Sequence, residues 1–399
     1  MSLDIFLKKS AQRSGGFQPR IFDLSRARDR RALAALARAR KIHRVSDDYE
    51  EQMREHFAVT HPSRVYAPDF EQLFQQYRTD AARRTPLWQS GRWVYFPWLS
   101  ALTHILEEKS FQIVRTARNR NLITKEEQEK FYNAVVGIAG LSVGNSVALT
   151  IVLQGGARHI KIADHDRLAL TNTNRIRTGV QNLGLPKTEM TAREIYEINP
   201  YARVEIFSEG LTPQNIARFF GGVRPLDIMV DAIDNLAMKR LIREEAKKRR
   251  VPIVMGADNG DNAIIDIERH DKNPRLPFFH GRLGKTSYEA LVKLDKFGLG
   301  RTITQYLGPE NITPRMLESL AEMGKTIVSW PQLGGAAVLN GAAVAYCVRK
   351  IVNGQPLEQN RAFVSLDEKL DPEYDTPSAE RRRKTASAVF AKKFNLTLP

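Results

Sequence analysis

The chain has 399 residues, 42% of them apolar, which is enough for two domains or one large one with attachments. A single cysteine excludes an intramolecular disulfide and a zinc site built from several thiolates. The net charge of +16, from 61 Lys and Arg against 45 Asp and Glu, favours an acidic protein, a nucleotide or a nucleic acid as partner and leaves the fold open.

The opening M-S-L-D-I-F-L-K-K-S has no long apolar run behind a basic one. No secretory signal is expected, and the cytoplasm is the expected compartment. Residues 1–20 read as a loose arm around Ser14-Gly15-Gly16. An Ala- and Arg-rich stretch over 24–44 predicts a helix. A second helix is expected over 47–57, broken at His61-Pro62, and a third over 70–77. Trp88, Trp93 and Trp98 then fall within eleven positions, and 92–96 alternates like a strand. These aromatics read as the core of a small N-terminal α+β accessory domain, residues 1–112. A partner-docking surface is the alternative. Residues 101–114 are expected to be helical. Thr124 and Glu127 form a capping-box pattern ahead of a helix over 125–132.

The chain is organised around residues 133–164. A short apolar run, 134–136, ends in Gly137. Helix-compatible spacing over 141–153 stops at Gly155-Gly156, and 159–163 is the next strand. Asp164 then stands where the second strand of a βαβ unit delivers a carboxylate to a ribose. Residues 134–157 carry no charge, and Gly140 and Gly144 make a G-x-x-x-G. Asn145, Ser146, Thr150 and Gln154 interrupt the stretch, so a buried strand–helix pair is expected and no membrane span.

Further on, helices are expected over 188–198, 212–220 (opening on Pro213) and 236–249. Strands are expected over 204–207, 227–230, 251–255 and 263–267. The strand at 227–230 runs into D-A-I-D-N, and the one at 251–255 into G-A-D-N-G-D. Strands separated by helices indicate an α/β fold over residues 113–366, with a doubly wound, mostly parallel, Rossmann-like sheet. Residues 272–330 read as an insertion of loops and short helices. Residues 333–352 read as a buried apolar helix that holds Cys347 in the core. A last strand is expected over 361–366. Residues 367–399 form a polar, basic tail with a helix over 379–394, read as a solvated arm or as a contact for an acidic partner or nucleic acid.

Gly137, Ala139 and Ser142 occupy the spacing of G-x-G-x-x-G, with only the first a glycine. Small residues here, Gly140 included, let backbone N–H groups approach a phosphate at a helix N-terminus. An oxidoreductase would use such a turn for a dinucleotide. Three features point to ATP instead. Asn172, Asn174 and Arg175 place amides and a guanidinium beyond the ribose carboxylate, suited to triphosphate oxygens. Lys187 in L-G-L-P-K adds a cation for the leaving pyrophosphate. Asp231 and Asp234 end a strand where ligands bind in open α/β sheets, and their hard oxygens suit Mg²⁺. Taken one at a time, the asparagines could cap turns, Lys187 could lie on the surface and Asp231 could cap the next helix. Together and in this order they form a specific set.

With V-V-G-I-A-G-L-S, I-A-D-H-D, T-N-T-N-R, G-L-P-K, V-D-A-I-D-N and the preceding R-N-L-I-T-K-E-E-Q-E-K-F, residues 118–352 resemble the ThiF/MoeB superfamily, the adenylating domain of ubiquitin-activating-type enzymes. The resemblance implies Mg-ATP and attack of a substrate carboxylate on its α-phosphate, giving an acyl-adenylate and pyrophosphate. The carboxylate would be the C-terminus of a ubiquitin-like protein or peptide, or belong to a small molecule. The resemblance implies that Asp164 holds the ribose, that Asn172, Arg175 and Lys187 hold the triphosphate, and that Asp234 and Asp231 serve Mg²⁺. It also implies that Arg120 is donated across a homodimer, with Arg118 close enough to compete. Three departures stand out. Ala139 and Ser142 replace usual glycines and could crowd the nucleotide. The paired C-x-x-C motifs are missing. No cysteine occurs in 272–330, so no enzyme thioester is expected. Two alternatives within the family are an RNA-modifying member, which the +16 charge would suit, and a catalytically inert partner subunit.

Overall fold

The computed structural model describes residues 16–396 and Leu398. The chain divides into two units. Residues 16–129 with Ala192–Ala202 form the first, and Lys130–Thr191 with residues 203–396 form the second. The loose arm expected over 1–20 lies, up to residue 15, outside the described residues.

The first unit holds β1 (Arg20–Phe22), α1 (Ala27–Arg38), β2 (Arg44–Asp47), α2 (Tyr49–Thr60), α3 (Phe70–Arg84), β3 (Arg92–Phe96), β4 (Ala101–Ile105) and α4 (Glu108–Arg115). Its sheet runs in the order β1-β3-β4-β2. The helix expected over 101–114 is strand for its first five residues. Ser100 reverses the chain at φ 49°, and residues 101–105 then pair antiparallel with β3. Strand pairing overrides the helix propensity of Ala and Leu here. Residues 44–47, expected at a helix junction, are a strand for the same reason and pair with β4. The aromatic run is core only in part. Trp93 and Tyr95 are buried with Phe22, Leu36 and Leu102, whereas Trp88 is 52% exposed. His104 stacks between Tyr49 and Trp93, with Nδ1 2.9 Å from Asp47 and Nε2 2.8 Å from the Ser90 carbonyl.

The expected capping box is present. Thr124 N donates to Glu127 at 3.0 Å, and Glu127 N donates to Thr124 Oγ1 at 3.2 Å, opening α5 (Lys125–Asn133). Then follow β5 (Val135–Ala139), α6 (Val143–Leu153), β6 (His159–Ala163), α7 (Lys187–Ile198), whose residues from Ala192 on belong to the first unit, and, in the second unit, β7 (Arg203–Phe207), α8 (Ile216–Phe220), β8 (Ile228–Asp231), α9 (Leu236–Arg249), β9 (Ile253–Asn259) and β10 (Asn262–Glu268). The sheet order is β11-β10-β9-β8-β5-β6-β7, with β11 at Arg361–Val364. Strands β7, β6, β5, β8 and β9 are parallel, and β10 and β11 add an antiparallel edge. Every residue of β5 and β6 is buried, as expected for strands covered on both faces. Strand order reverses at β5, which makes its carboxyl end the switch point where such sheets bind ligands. Helix α8 starts at Ile216 and not at 212, because Thr212 and Asn215 bond each other reciprocally in a turn first.

The insertion contains α10 (Tyr288–Val292), α11 (Lys296–Leu307) and α12 (Pro314–Ala321). The apolar helix α13 (Gly334–Val352) packs on α6, β9 and β10. A Cβ at Gly341 would lie 2.9 Å from Ser146, so glycine is what lets α13 and α6 touch. By length and composition α13 could cross a membrane, yet half of it is buried inside the protein. After α14 (Leu366–Leu370), the tail helix α15 (Pro377–Phe394) is more than a solvated arm. Phe390 is buried among Ile264, Leu307 and Met316, with Ala386 and Phe394 packed beside it. These three residues recur at i, i+4 and i+8, an apolar stripe that the surrounding arginines and lysines mask in the sequence.

Candidate active site

The turn after β5 is shaped by Gly140. Its φ is 84°, and a Cβ there would lie 2.2 Å from the Ala232 carbonyl. No other residue allows that approach in that conformation. The next N–H, of Leu141, donates to Asp164 Oδ2 at 2.7 Å, and Asp166 N donates to Asp164 Oδ1 at 2.8 Å. Asp164 is thereby fixed at the end of β6, and each oxygen keeps acceptor capacity for a hydroxyl. Lys187, the first residue of α7, is buried. Its Nζ stands 2.8 Å from Asp166 Oδ2 and 3.9 Å from Asp164 Oδ2. Burial raises the Asp166 carboxyl, but Lys187 more than offsets this and holds it below its usual range.

Arg175 approaches from the loop after β6. Its Nε donates to Ser142 Oγ at 2.8 Å, and Nη1 donates to the Thr171 carbonyl and Asn174 Oδ1. Burial pulls its pKa down against the opposing charges of Asp258 and Asp234. Asp234 is exposed on the loop after β8. Asp258, near the end of β9, is buried. It accepts from Asn340 Nδ2 at 2.6 Å and from Gln332 Nε2 at 3.1 Å. Burial pushes its carboxyl up to about 6 despite these donors and Arg175. One helix N-terminus therefore gathers a carboxylate that can accept from a diol, two cations and an exposed acid, the set a nucleoside polyphosphate requires.

Residues 116–270 match the ThiF family. The chain carries a ThiF family domain. It is 36% identical over 283 residues to an uncharacterised protein of Mycobacterium tuberculosis, covering 71% of this chain and 39% of that one. It is 33% identical over 173 residues to the tRNA threonylcarbamoyladenosine dehydratase of Escherichia coli, covering 42% of this chain and 62% of that one. It is 28% identical over 163 residues to the sulfur carrier protein adenylyltransferase of Thermus thermophilus, covering 40% and 56%. The chain spans less than two thirds of the length of each of these relatives.

Within the ThiF domain the expected metal pair is split. Asp234 stays beside Arg175. Asp231 is fully buried, with Oδ1 3.0 Å from Lys239 Nζ and Oδ2 2.7 Å from Arg243 Nη1. Both oxygens are engaged by cations of α9, so Asp231 belongs to an internal ion network and offers nothing to Mg²⁺. Gly137 and Ala139 likewise turn to the core. A Cβ at Gly137 would lie 2.5 Å from Leu226, and Ala139 is buried with Phe207 and Met229. Ser142 instead meets Arg175, accepting from its Nε. Asn172 Oδ1 accepts from Ala169 N at 3.0 Å, and Asn174 Nδ2 donates to the Gln332 carbonyl at 2.8 Å. Both asparagines pin the loop that carries Arg175. Arg120 and Arg118 are exposed residues of the first unit, ahead of α5. Asp166, Asp258, Gln332 and Asn340 were not anticipated. D-H-D and G-A-D-N-G-D contained the two acids, but nothing in the sequence marked their partners.

Proposed function

We propose that the ThiF domain is a Mg-ATP-dependent adenylyltransferase that activates a carboxylate without an enzyme thioester. The observation that carries this reading is the convergence of Asp164, Arg175 and Lys187 on the Gly140 turn. Asp164 accepts the ribose hydroxyls, and the turn and the N-terminus of α6 direct N–H groups at phosphate. A substrate carboxylate oxygen bonds to the α-phosphorus, the bond to the bridging oxygen breaks, and pyrophosphate leaves. Arg175 and Lys187 stabilise the charge that develops on the transferred and leaving phosphates. The exposed Asp234 would hold Mg²⁺, which supplies further charge neutralisation. Arg120 from a second copy of the chain would complete the site of a homodimer. Cys347 is buried and its thiol is pushed up to about 11 by that burial, far from the thiolate a thioester needs. The adenylate is then the final product or passes directly to an acceptor.

The carboxylate belongs to a small protein, a peptide or a small molecule, in line with the similarity to a sulfur carrier protein adenylyltransferase. A second reading has the carboxylate on RNA. The similarity to a tRNA threonylcarbamoyladenosine dehydratase and the charge of +16 favour it. RNA affinity that falls steeply with salt would support that reading, and salt-independent weak binding would remove it.

Thermal stability with Mg-ATP, AMP, NAD or no ligand tests the core proposal without knowledge of the carboxylate. A ligand at 100 times its Kd stabilises by about 2.7 kcal/mol. Mg-ATP is expected to raise the melting temperature and NAD to leave it unchanged. In Asp234→Ala the magnesium-dependent part of the rise disappears. If no nucleotide raises the midpoint, a non-catalytic binding protein replaces the enzyme reading.

A further inference from the structure

A continuous hydrogen-bonded chain joins Arg175 to β9 and to the start of α13. Arg175 Nη1 donates to Asn174 Oδ1 at 3.0 Å, and Asn174 Nδ2 donates to the Gln332 carbonyl at 2.8 Å. Gln332 Nε2 donates to Asp258 Oδ2 at 3.1 Å, and Asn340 Nδ2 donates to Asp258 Oδ1 at 2.6 Å. The segment between Gln332 and α13 is pressed onto the same loop, because a Cβ at Gly334 would lie 2.6 Å from the Asn174 carbonyl.

Asp258 is 6% exposed, and burying a carboxylate is costly unless it is well used. The two side-chain amides that reach it both present donors. A carboxylate accepts from both, whereas an asparagine would set its own N–H₂ against one of them. Arg175 is thus held on two sides, by Ser142 at Nε and by Asn174 at Nη1. Among the described residues no acceptor takes Nη2.

We propose that Asp258 is the positioning residue for Arg175. Through Gln332 and Asn174 it fixes the guanidinium at the Gly140 turn, and it thereby sets the preference of the site for a triphosphate over a monophosphate. This inference rests on the adenylyltransferase reading and adds a residue to it. Charge alone predicts the opposite effect, because a carboxylate beside a triphosphate repels it. The sign of the Asp258→Asn effect therefore separates the two.

The test is calorimetric titration of the full chain with Mg-ATP and, separately, with AMP. Asp258→Asn and Gln332→Ala are each expected to weaken Mg-ATP about tenfold and to leave AMP within about twofold, the scale of one hydrogen bond to a charged group. Gln332→Ala keeps the Asp258 charge and breaks only the tie, so it stands in if Asp258→Asn folds poorly. Adding Asp258→Asn to Arg175→Ala is expected to cause no further loss, since both act through one guanidinium. Tighter or unchanged Mg-ATP binding in both variants overturns the proposal. So does an equal loss of ATP and AMP, which a merely structural tie would give. So does additivity with Arg175→Ala. A wild-type chain that binds neither nucleotide overturns the adenylyltransferase reading itself, and this inference with it.

Discussion

Arg175→Ala is expected to abolish ATP-dependent adenylate formation and to leave the second unit folded. The guanidinium lies against Ser142 at the N-terminus of α6, with Asp234 and Asp258 as its electrostatic counterparts. Charge develops on phosphate oxygens as pyrophosphate leaves, and a preorganised cation at that point is worth about 10²–10³ in rate or more. The fold depends on Arg175 much less. Its side-chain bonds go to a hydroxyl, a carbonyl and an amide, and it buries no carboxylate that would be left alone. A loss of about 1 kcal/mol or less in stability is expected. Arg175→Lys keeps the charge without the planar fork and is expected to fall between. Pyrophosphate release followed beside the thermal midpoint checks both claims. Wild-type rates from a folded Arg175→Ala protein would remove Arg175 from the site.

Arg243→Met is expected to destabilise the second unit by about 3–5 kcal/mol, the usual effect of breaking a buried ion pair from one side. Arg243 is fully buried. It bonds Asp231 at 2.7 Å and Glu268 at 2.7 Å, and its guanidinium lies 4.0 Å from the centre of the Phe279 ring. Methionine restores the volume and leaves Asp231 with Lys239 alone and Glu268 without its guanidinium. Burial pushes both carboxyls up, but their cationic neighbours more than offset it, so both are held below the usual carboxylate range. Groups with depressed pKa values contribute stability above their unfolded values and lose it as pH falls through the folded ones. The contribution is therefore complete at neutral pH and lost only below about pH 4. Urea unfolding of wild type and variant at pH 7 measures it. A difference under about 1 kcal/mol would mean that the network is not what holds β8, α9 and β10 together.

The sequence by itself determined the α/β class, the parallel strands, the Gly-rich turn and the place of Asp164. Those are local signals. Apolar runs with period 2 or 3.6, a capping box at Thr124 and Glu127, and a small-residue turn between strand and helix all act within a few residues. Lys187 and Arg175 were legible through the motifs G-L-P-K and T-N-T-N-R that follow Asp164, although the loop that carries them is long. What only the tertiary structure decided is which way each acid faces. Asp231 and Asp234 lie three residues apart in one motif. The last residue of β8 points into the core, where Lys239 and Arg243 of α9 meet it, and only Asp234 reaches the site. Asp258 became part of the site through partners 74 and 82 residues downstream. The buried stripe of α15 was hidden in the same way, since it takes its form from distant partners, Ile264 with Met316, whereas the strand at 101–105 was missed beside its near neighbour β3 because the reversal at Ser100 was not recognised as a hairpin turn. Periodicity records whether a residue is buried somewhere. Which neighbour buries it, and hence whether a carboxylate becomes an ion pair or a ligand, depends on contacts that exist only once the sheet has closed.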